Sequence, residues 1–323
     1  MRLNLPEPIR MPAARSAGHY LQGDTAPQAP RLLLWAFADW CIIIAAWAVM
    51  ALVDQWPIML VGTVVVASRL HALGAILHDA CHHRRQDQSR LWWLVEGLAG
   101  WPIASTIEAM RYHHLRHHAL SGTPQDPYYS ALHAGKEWKR IALTARGALL
   151  PFWWTLRAVI GPVALFVPAV RPLYARAFLQ DRSGADLRQH PAVIACARAD
   201  VFQLIGQLGL IGTAFAAGLP VTGFYLLPWV LAGILNARRV VHEHAWIERD
   251  DHSRHGAWDT TLDHDLGILG NAIFYPHNIG LHRIHHRYPG VSFIHLPELR
   301  RRTRQRCCPG IRQAPPHPTA SPQ

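Results

Sequence analysis

The sequence predicts an all-α, polytopic membrane helix bundle of about four spans arranged as two hairpins. Two observations carry this. Half of the 323 residues are hydrophobic, yet the chain holds 32 Lys+Arg and 22 His, so apolar material must be segregated from a basic, histidine-rich part. The apolar residues also fall in runs long enough to cross a hydrocarbon core, with the histidine clusters placed at the ends of those runs. The formal net charge of +11 suits the anionic cytoplasmic leaflet. It does not suit nucleic acid, because no basic motif with interleaved aromatics lies outside the histidine clusters.

The first 30 residues contain Pro6, Pro8, Pro12, Pro27 and Pro30 and no continuous apolar stretch. They read as a flexible cytoplasmic N-terminal segment (1–30), not a cleavable signal peptide. Residues 32–53 are apolar apart from Asp39, and 22 residues at about 1.5 Å each span about 30 Å of hydrocarbon. Asp54, Gln55 and Trp56 make a turn, and Pro57 opens a second run to Ser68 that continues as an amphipathic helix past Arg69 and His71 to His78. A second hairpin reads from 201–219 and 221–237 around Pro220, where Gly206, Gly209 and Gly212 would let neighbouring helices approach.

Arg2, Arg10, Arg15 and Arg31 precede the first span, and Arg84, Arg85, Arg90, Arg111 and Arg116 follow the second. The positive-inside rule places both sets in the cytoplasm. Residues 91–106, with Glu96 inside and Trp92, Trp93, Trp101 and Pro102, read as an interfacial helix. Residues 149–170 are long enough to cross, but Arg157, Pro151, Pro162 and Pro168 interrupt them. A single crossing there would put the histidine clusters on opposite sides, so this stretch reads as interfacial or re-entrant. Residues 301–323 form a basic, Pro-rich C-terminal tail. Cys41, Cys81, Cys196, Cys307 and Cys308 show no CxxC spacing, which argues against a disulfide framework and a built-in iron-sulfur module.

The histidines carry the chemistry. His78 and His82, at i and i+4, share one helix face beyond the second span. His114, His117 and His118 follow an HxxHH spacing, and His282, His285 and His286 repeat it. His242 and His244 lie on the extension of the fourth span. Imidazole is a borderline ligand for iron, zinc, copper or nickel, and eight or nine histidines exceed what one ion can use. The pattern therefore implies a di-metal site in a cytoplasmic helical cap. His71, His133, His190, His252, His255 and His264 read as solvated or interfacial histidines instead.

The strings HDACHH, RYHHLRHHALSGTPQDP, RRVVHEHAWIE and PHNIGLHRIHHRYPGVSFIHLPELR resemble the membrane fatty acid desaturase superfamily, with its three histidine boxes. The resemblance covers about 71–130 and 232–299; between them it lies only in hydropathy. It makes 31–300 a membrane desaturase-like domain and implies two Fe ions, O2 as co-substrate and an external electron donor. It assigns metal ligation to His78 and His82, to His114, His117 and His118, to His282, His285 and His286, and to His244 outside the boxes. His83, His113, His242 and His277 adjoin these positions as ligands or as residues that orient one.

Asp79 and Asp126 are candidate acceptors for a ligand's ring N–H or else cap and turn carboxylates. Asn278 would bond a metal-bound water or make an Asx turn. Arg239 and Glu243, at i and i+4, read as a structural pair.

The resemblance implies oxygen-dependent introduction of a double bond into a lipid or acyl substrate. With no haem motif or cysteine quartet in the chain, a ferredoxin, rubredoxin or cytochrome b5 would supply the electrons. A di-iron hydroxylase or ketolase acting on a carotenoid, alkane or other lipid is the alternative. A zinc hydrolase lacks its HExxH, and a metal carrier would not need paired boxes.

Overall fold

A computed structural model describes residues 20–53, 55–84, 87, 89–121, 123–128, 136–218, 220–244 and 260–307. The rest of the terminal segments, with Asp54, Arg85, His133, His252 and His255, lies outside the described residues. Among the described residues the regular structure is helical, with a single isolated bridge between His244 and Thr261.

Helix α1 (Ala29–Leu52) opens on Pro30, whose fixed φ and missing N–H suit a first helical turn. It buries Leu32, Ala36, Asp39, Ile43 and Met50, a stripe at helical spacing, and leaves Leu34, Phe37 and Ile44 exposed on the other side. Such outward apolar faces suit lipid. Helix α2 (Trp56–Ala80) opens on Pro57 and is buried almost continuously from Val66 to Ala80. Gly62 lets α1 come close, since a Cβ there would lie 2.5 Å from the Met50 side chain.

The segment expected to be interfacial is broken into short pieces: α3 (Leu91–Val95), a π-helical turn at Glu96–Gly100 and a 3-10 turn at Trp101–Ile103. Ala104 follows at φ 58°. Helix α4 (Ile107–Leu120) then starts on two acceptors: Thr106 Oγ1 takes the Ala109 N–H at 3.1 Å and Glu96 Oε1 takes the Ile107 N–H at 2.7 Å. Those bonds fix the start of the helix that bears the second histidine cluster.

Helix α5 (Glu137–Arg146) passes through a 3-10 turn into α6 (Leu150–Phe166), and α7 (Arg171–Phe178) leads to α8 (Pro191–Ala216). After a π-helical turn at Thr222–Leu226, α9 (Leu227–Glu243) returns toward the histidines. The cap follows: α10 (Gly267–Phe274), α11 (His282–Arg287) and α12 (Leu296–Cys307).

Five helical runs are long and apolar enough to cross a membrane, the fifth being the joined run Glu137–Phe166. Gly147 abuts Gly233 and Ala237 in the middle of α9, and Gly161 abuts Ala197 and Asp200 in the first half of α8. Between them Phe152 meets Trp229 and Thr155 meets Gln207, so this run lies against both helices.

The charges that interrupt the apolar runs are paired. Arg157, 1% exposed, holds Asp200 through Nε at 3.0 Å and donates Nη2 to Gln203 Oε1 at 2.7 Å, while Tyr174 OH donates to Asp200 at 2.6 Å. Asp39 accepts from Arg69 at 3.1 Å and from His277 Nε2 at 2.7 Å. The Arg157–Asp200 pair also explains why α8 begins ten residues before the predicted 201: Asp200 reads as a helix boundary in sequence but is buried in the fold. Gly206 makes the close approach expected of it, against Trp101, whereas Gly209 and Gly212 face open space.

Replacing Arg157 by Met strands a buried carboxylate, which costs about 3–5 kcal/mol. The expected result is a marked fall in thermal stability of the detergent-purified protein, largely restored in the R157M/D200L double variant.

Candidate metal centre

Four elements bring the clustered histidines together: the end of α2, the middle of α4, the end of α9 and all of α11. On α2 and α4 the i, i+4 spacing of His78 and His82 and of His114 and His118 puts rings one turn apart on one stripe. On α11 the six-residue helix carries His282, His285 and His286, all buried.

Two quartets result. His78, His82, His114 and His285 form one, and His117, His244, His282 and His286 the other; within each, one ligand atom per residue lies within 4.8 Å of the rest, and all eight residues are buried. His118 joins them: its Nε2 is 2.8 Å from His114 Nε2 and 3.1 Å from His285 Nε2, and its ring stacks on His286 with centroids 4.1 Å apart.

The second quartet has a closed geometry. Its Nε2 atoms make a four-sided ring with edges of 2.8 Å (His117 to His244), 3.3 Å (His244 to His282), 3.0 Å (His282 to His286) and 3.2 Å (His286 to His117). Nitrogens held about 2.0–2.1 Å from a first-row metal ion lie about 3 Å from their neighbours at right angles, so these edges fit one ion.

Proton bookkeeping leads to the same place. The His117 Nδ1–H donates to Asp126 Oδ1 at 2.8 Å and the His244 Nδ1–H to the Val240 carbonyl at 2.8 Å. A neutral imidazole carries one ring proton, so both Nε2 atoms present lone pairs to each other. Burial disfavours the charged form of the other rings: His244 and His285 are pushed down to about 3, and His82, His114, His118, His282 and His286 well below the ordinary histidine value, first by desolvation and then by neighbouring histidines or arginines. Among the described residues the first quartet and its neighbours also hold ring nitrogens with no hydrogen-bond partner, including His78 Nε2, both nitrogens of His82 and His114 Nδ1. Converging buried imidazoles, several with an unpartnered ring nitrogen, fit a pair of borderline metal ions.

Among the described residues, all nine histidines assigned to metal by resemblance converge. Asp126 sits where an orienting carboxylate should, on His117. The other candidates lie elsewhere. Asp79 accepts from Ser292 Oγ at 2.6 Å and the Phe293 N–H at 3.1 Å, bracing the chain after α11 and not a ligand ring. His83 stacks on Trp92 and bonds Ala80 O and Arg111. His113 approaches Tyr128 with centroids 5.8 Å apart, and burial lowers it to about 4.

His242 is exposed and faces His264. His277 is taken by Asp39, and Asn278 donates to Phe293 O at 3.3 Å; both residues hold left-handed backbone, φ 53° and 63°. The Asn278 bond to Phe293 O is neither the water-bonding nor the Asx-turn role expected from the sequence.

Sequence reasoning missed Tyr128, whose ring stacks on His117 at 4.3 Å while its N–H donates to Asp126 Oδ1 at 2.8 Å. Its neighbour Asp126 was the only available signal. Glu243 was read as purely structural; it does pair with Arg239 at 2.7 Å, and its Oε2 also stands 3.6 Å from His282 Nδ1.

Comparison with known proteins agrees with the geometry. A family model described as Fatty acid desaturase matches residues 54–314. The chain is 24% identical over 308 residues to the "Probable fatty acid desaturase DES1" of Sorghum bicolor, an alignment covering 91% of this chain and 75% of that protein.

Asp126→Ala removes the acceptor that fixes the His117 tautomer. Metal affinity of the purified protein, followed by competition with a chelator and elemental analysis, is expected to fall about 10–100-fold, while Asp79→Ala changes stability more than metal content.

Proposed function

The chain belongs to the fatty acid desaturase family, and from that premise we propose that it is a di-iron, oxygen-dependent desaturase that introduces a double bond into a fatty acyl chain. The observation that carries the reading is the facing Nε2 atoms of His117 and His244, 2.8 Å apart inside a closed ring of four Nε2 atoms, beside a second quartet of buried histidines. A fixed pair of nitrogen-rich metal positions suits oxygen chemistry better than hydrolysis. His242 points outward and His244 inward, so the His-Glu-His string supplies one ligand and not a zinc-protease face.

His78, His82, His114, His118 and His285 would hold one iron and His117, His244, His282 and His286 the other. Irons held there would supply, with dioxygen, two external electrons and two protons, the oxidation that takes one hydrogen from each of two adjacent carbons, both oxygen atoms leaving as water. The protein's own part is to hold and to exclude. Asp126 and the Val240 carbonyl keep the protons of His117 and His244 on Nδ1, so that Nε2 faces the metal position. Leu77, Ile103, Ile107 and Ile284 belong to the apolar core that continues from the site into the bundle, and offer hydrocarbon surroundings to an acyl chain.

The site lies on the cytoplasmic side in this reading, because Arg84 and the arginines of α12 flank it. Electrons come from a separate carrier of ferredoxin, rubredoxin or cytochrome b5 type. A basic surface favours an acidic carrier, and that step slows as salt is raised.

Expression in a host lacking the activity, with mass spectrometry of its lipids and pigments, is expected to yield a new unsaturated acyl chain two hydrogens lighter than its precursor. His117→Ala and His285→Ala are each expected to abolish it. An oxygenated product in its place would make the protein a hydroxylase or ketolase on the same centre, and would overturn the desaturase reading.

A further inference from the structure

Helix α10 is an apolar segment without a buried residue. Its sequence, Gly-Ile-Leu-Gly-Asn-Ala-Ile-Phe, contains one polar side chain, none of the eight residues is buried, and Ile268 and Leu269 are 91% and 80% exposed. An isolated helix of two turns does not hold itself together in water, and adjacent fully exposed Ile and Leu need a cover.

The segment is nevertheless anchored firmly. Gly267, at φ +71°, starts it. Asn271 ties its head to the preceding loop by accepting from Leu266 N at 2.9 Å and donating to Asp265 at 2.9 Å. Arg69 of α2 donates to the Ala272 carbonyl, His71 of α2 reaches the Phe274 carbonyl at 3.3 Å, and the Arg238 guanidinium of α9 lies 4.3 Å over the Phe274 ring.

Those anchors set its depth. The apolar run of α2 ends at Ser68, and Arg69 and His71 are the first polar residues after it. Asp39 of α1 meets Arg69 at the same level, and Trp35, 43% exposed, meets His277 just beyond α10, with ring centroids 5.1 Å apart. An exposed tryptophan near the end of an apolar span marks the approach to a membrane–water boundary. Leu34 and Phe37, exposed beside Trp35, carry the lipid-facing surface of α1 up to this level, and Ile268 and Leu269 extend it.

We infer that α10 lies in the plane of the bilayer interface with Ile268 and Leu269 inserted among the acyl chains of the leaflet, so that phospholipid is its missing cover. The consequence reaches the metal centre. The chain runs from α10 through the left-handed turn at His277 and Asn278 directly into α11, so the leaflet helps set the position of His282, His285 and His286. This inference rests on membrane embedding and not on which reaction the site performs.

The test uses the full-length protein in phosphatidylcholine/phosphatidylglycerol vesicles containing a phospholipid with a diazirine on its acyl chain. After irradiation, adducts are mapped by peptide mass spectrometry. Adducts are expected on 266–274 as well as on the exposed face of α1, and the I268S/L269S variant is expected to lose most of those on 266–274 while α1 stays labelled. Labelling of α1 with none on 266–274 overturns the inference. So does a crosslink joining 266–274 to a second copy of the chain.

Discussion

His117 and His244 approach Nε2 to Nε2 at 2.8 Å while the outer nitrogen of each ring is bonded to an acceptor. In their neutral forms the two rings face each other lone pair to lone pair, and a metal ion between them makes the contact favourable. Around it the protein is arranged to keep the rings oriented and dry. Asp126 and Val240 O take the outer protons, burial keeps the His244 ring neutral, and α2, α4, α9 and α11 are each positioned so that a turn of helix delivers one or more donors. Burying so many unpaired nitrogens without metal is expensive, so metal binding and the order of the cap are expected to be coupled.

The remaining polar investment in the bundle serves that arrangement. Glu96 and Thr106 fix the start of α4, Asp79 ties the end of α2 to Ser292 and Phe293 beyond α11, and Asp39 ties α1 to His277 before it. The Arg157–Asp200–Tyr174 network ties α6 and α7 to α8. Charges inside apolar helices are costly unless paired, and here each pair locks two helices in register.

The helical fold and eight of the nine converging histidines were legible because both depend on local periodicity, and His244 was legible only through the family resemblance. A 22-residue apolar run and an i, i+4 histidine pair mean the same thing wherever the chain goes next. What was not legible depends on partners distant in sequence. Asp79 beside a ligand in the string HDACHH looks like an orienting carboxylate, but its partners are more than 200 residues away and support the backbone. Asp200 looks like the end of a span until Arg157 is placed against it.

Tyr128 and α10 show a different limit. A tyrosine in a loop, or a short apolar stretch, carries no periodic signal, and its role comes only from the surface it lies against.

X-ray absorption at the iron edge of the purified, aerobically loaded protein tests the central claim most directly. The account predicts two irons per chain, first-shell scatterers that are nitrogen and oxygen with the outer scattering pattern of imidazole rings, and loss of that pattern for one iron when His117 and His244 are replaced together. Zinc in place of iron, a single metal per chain, or sulfur in the first shell would contradict it.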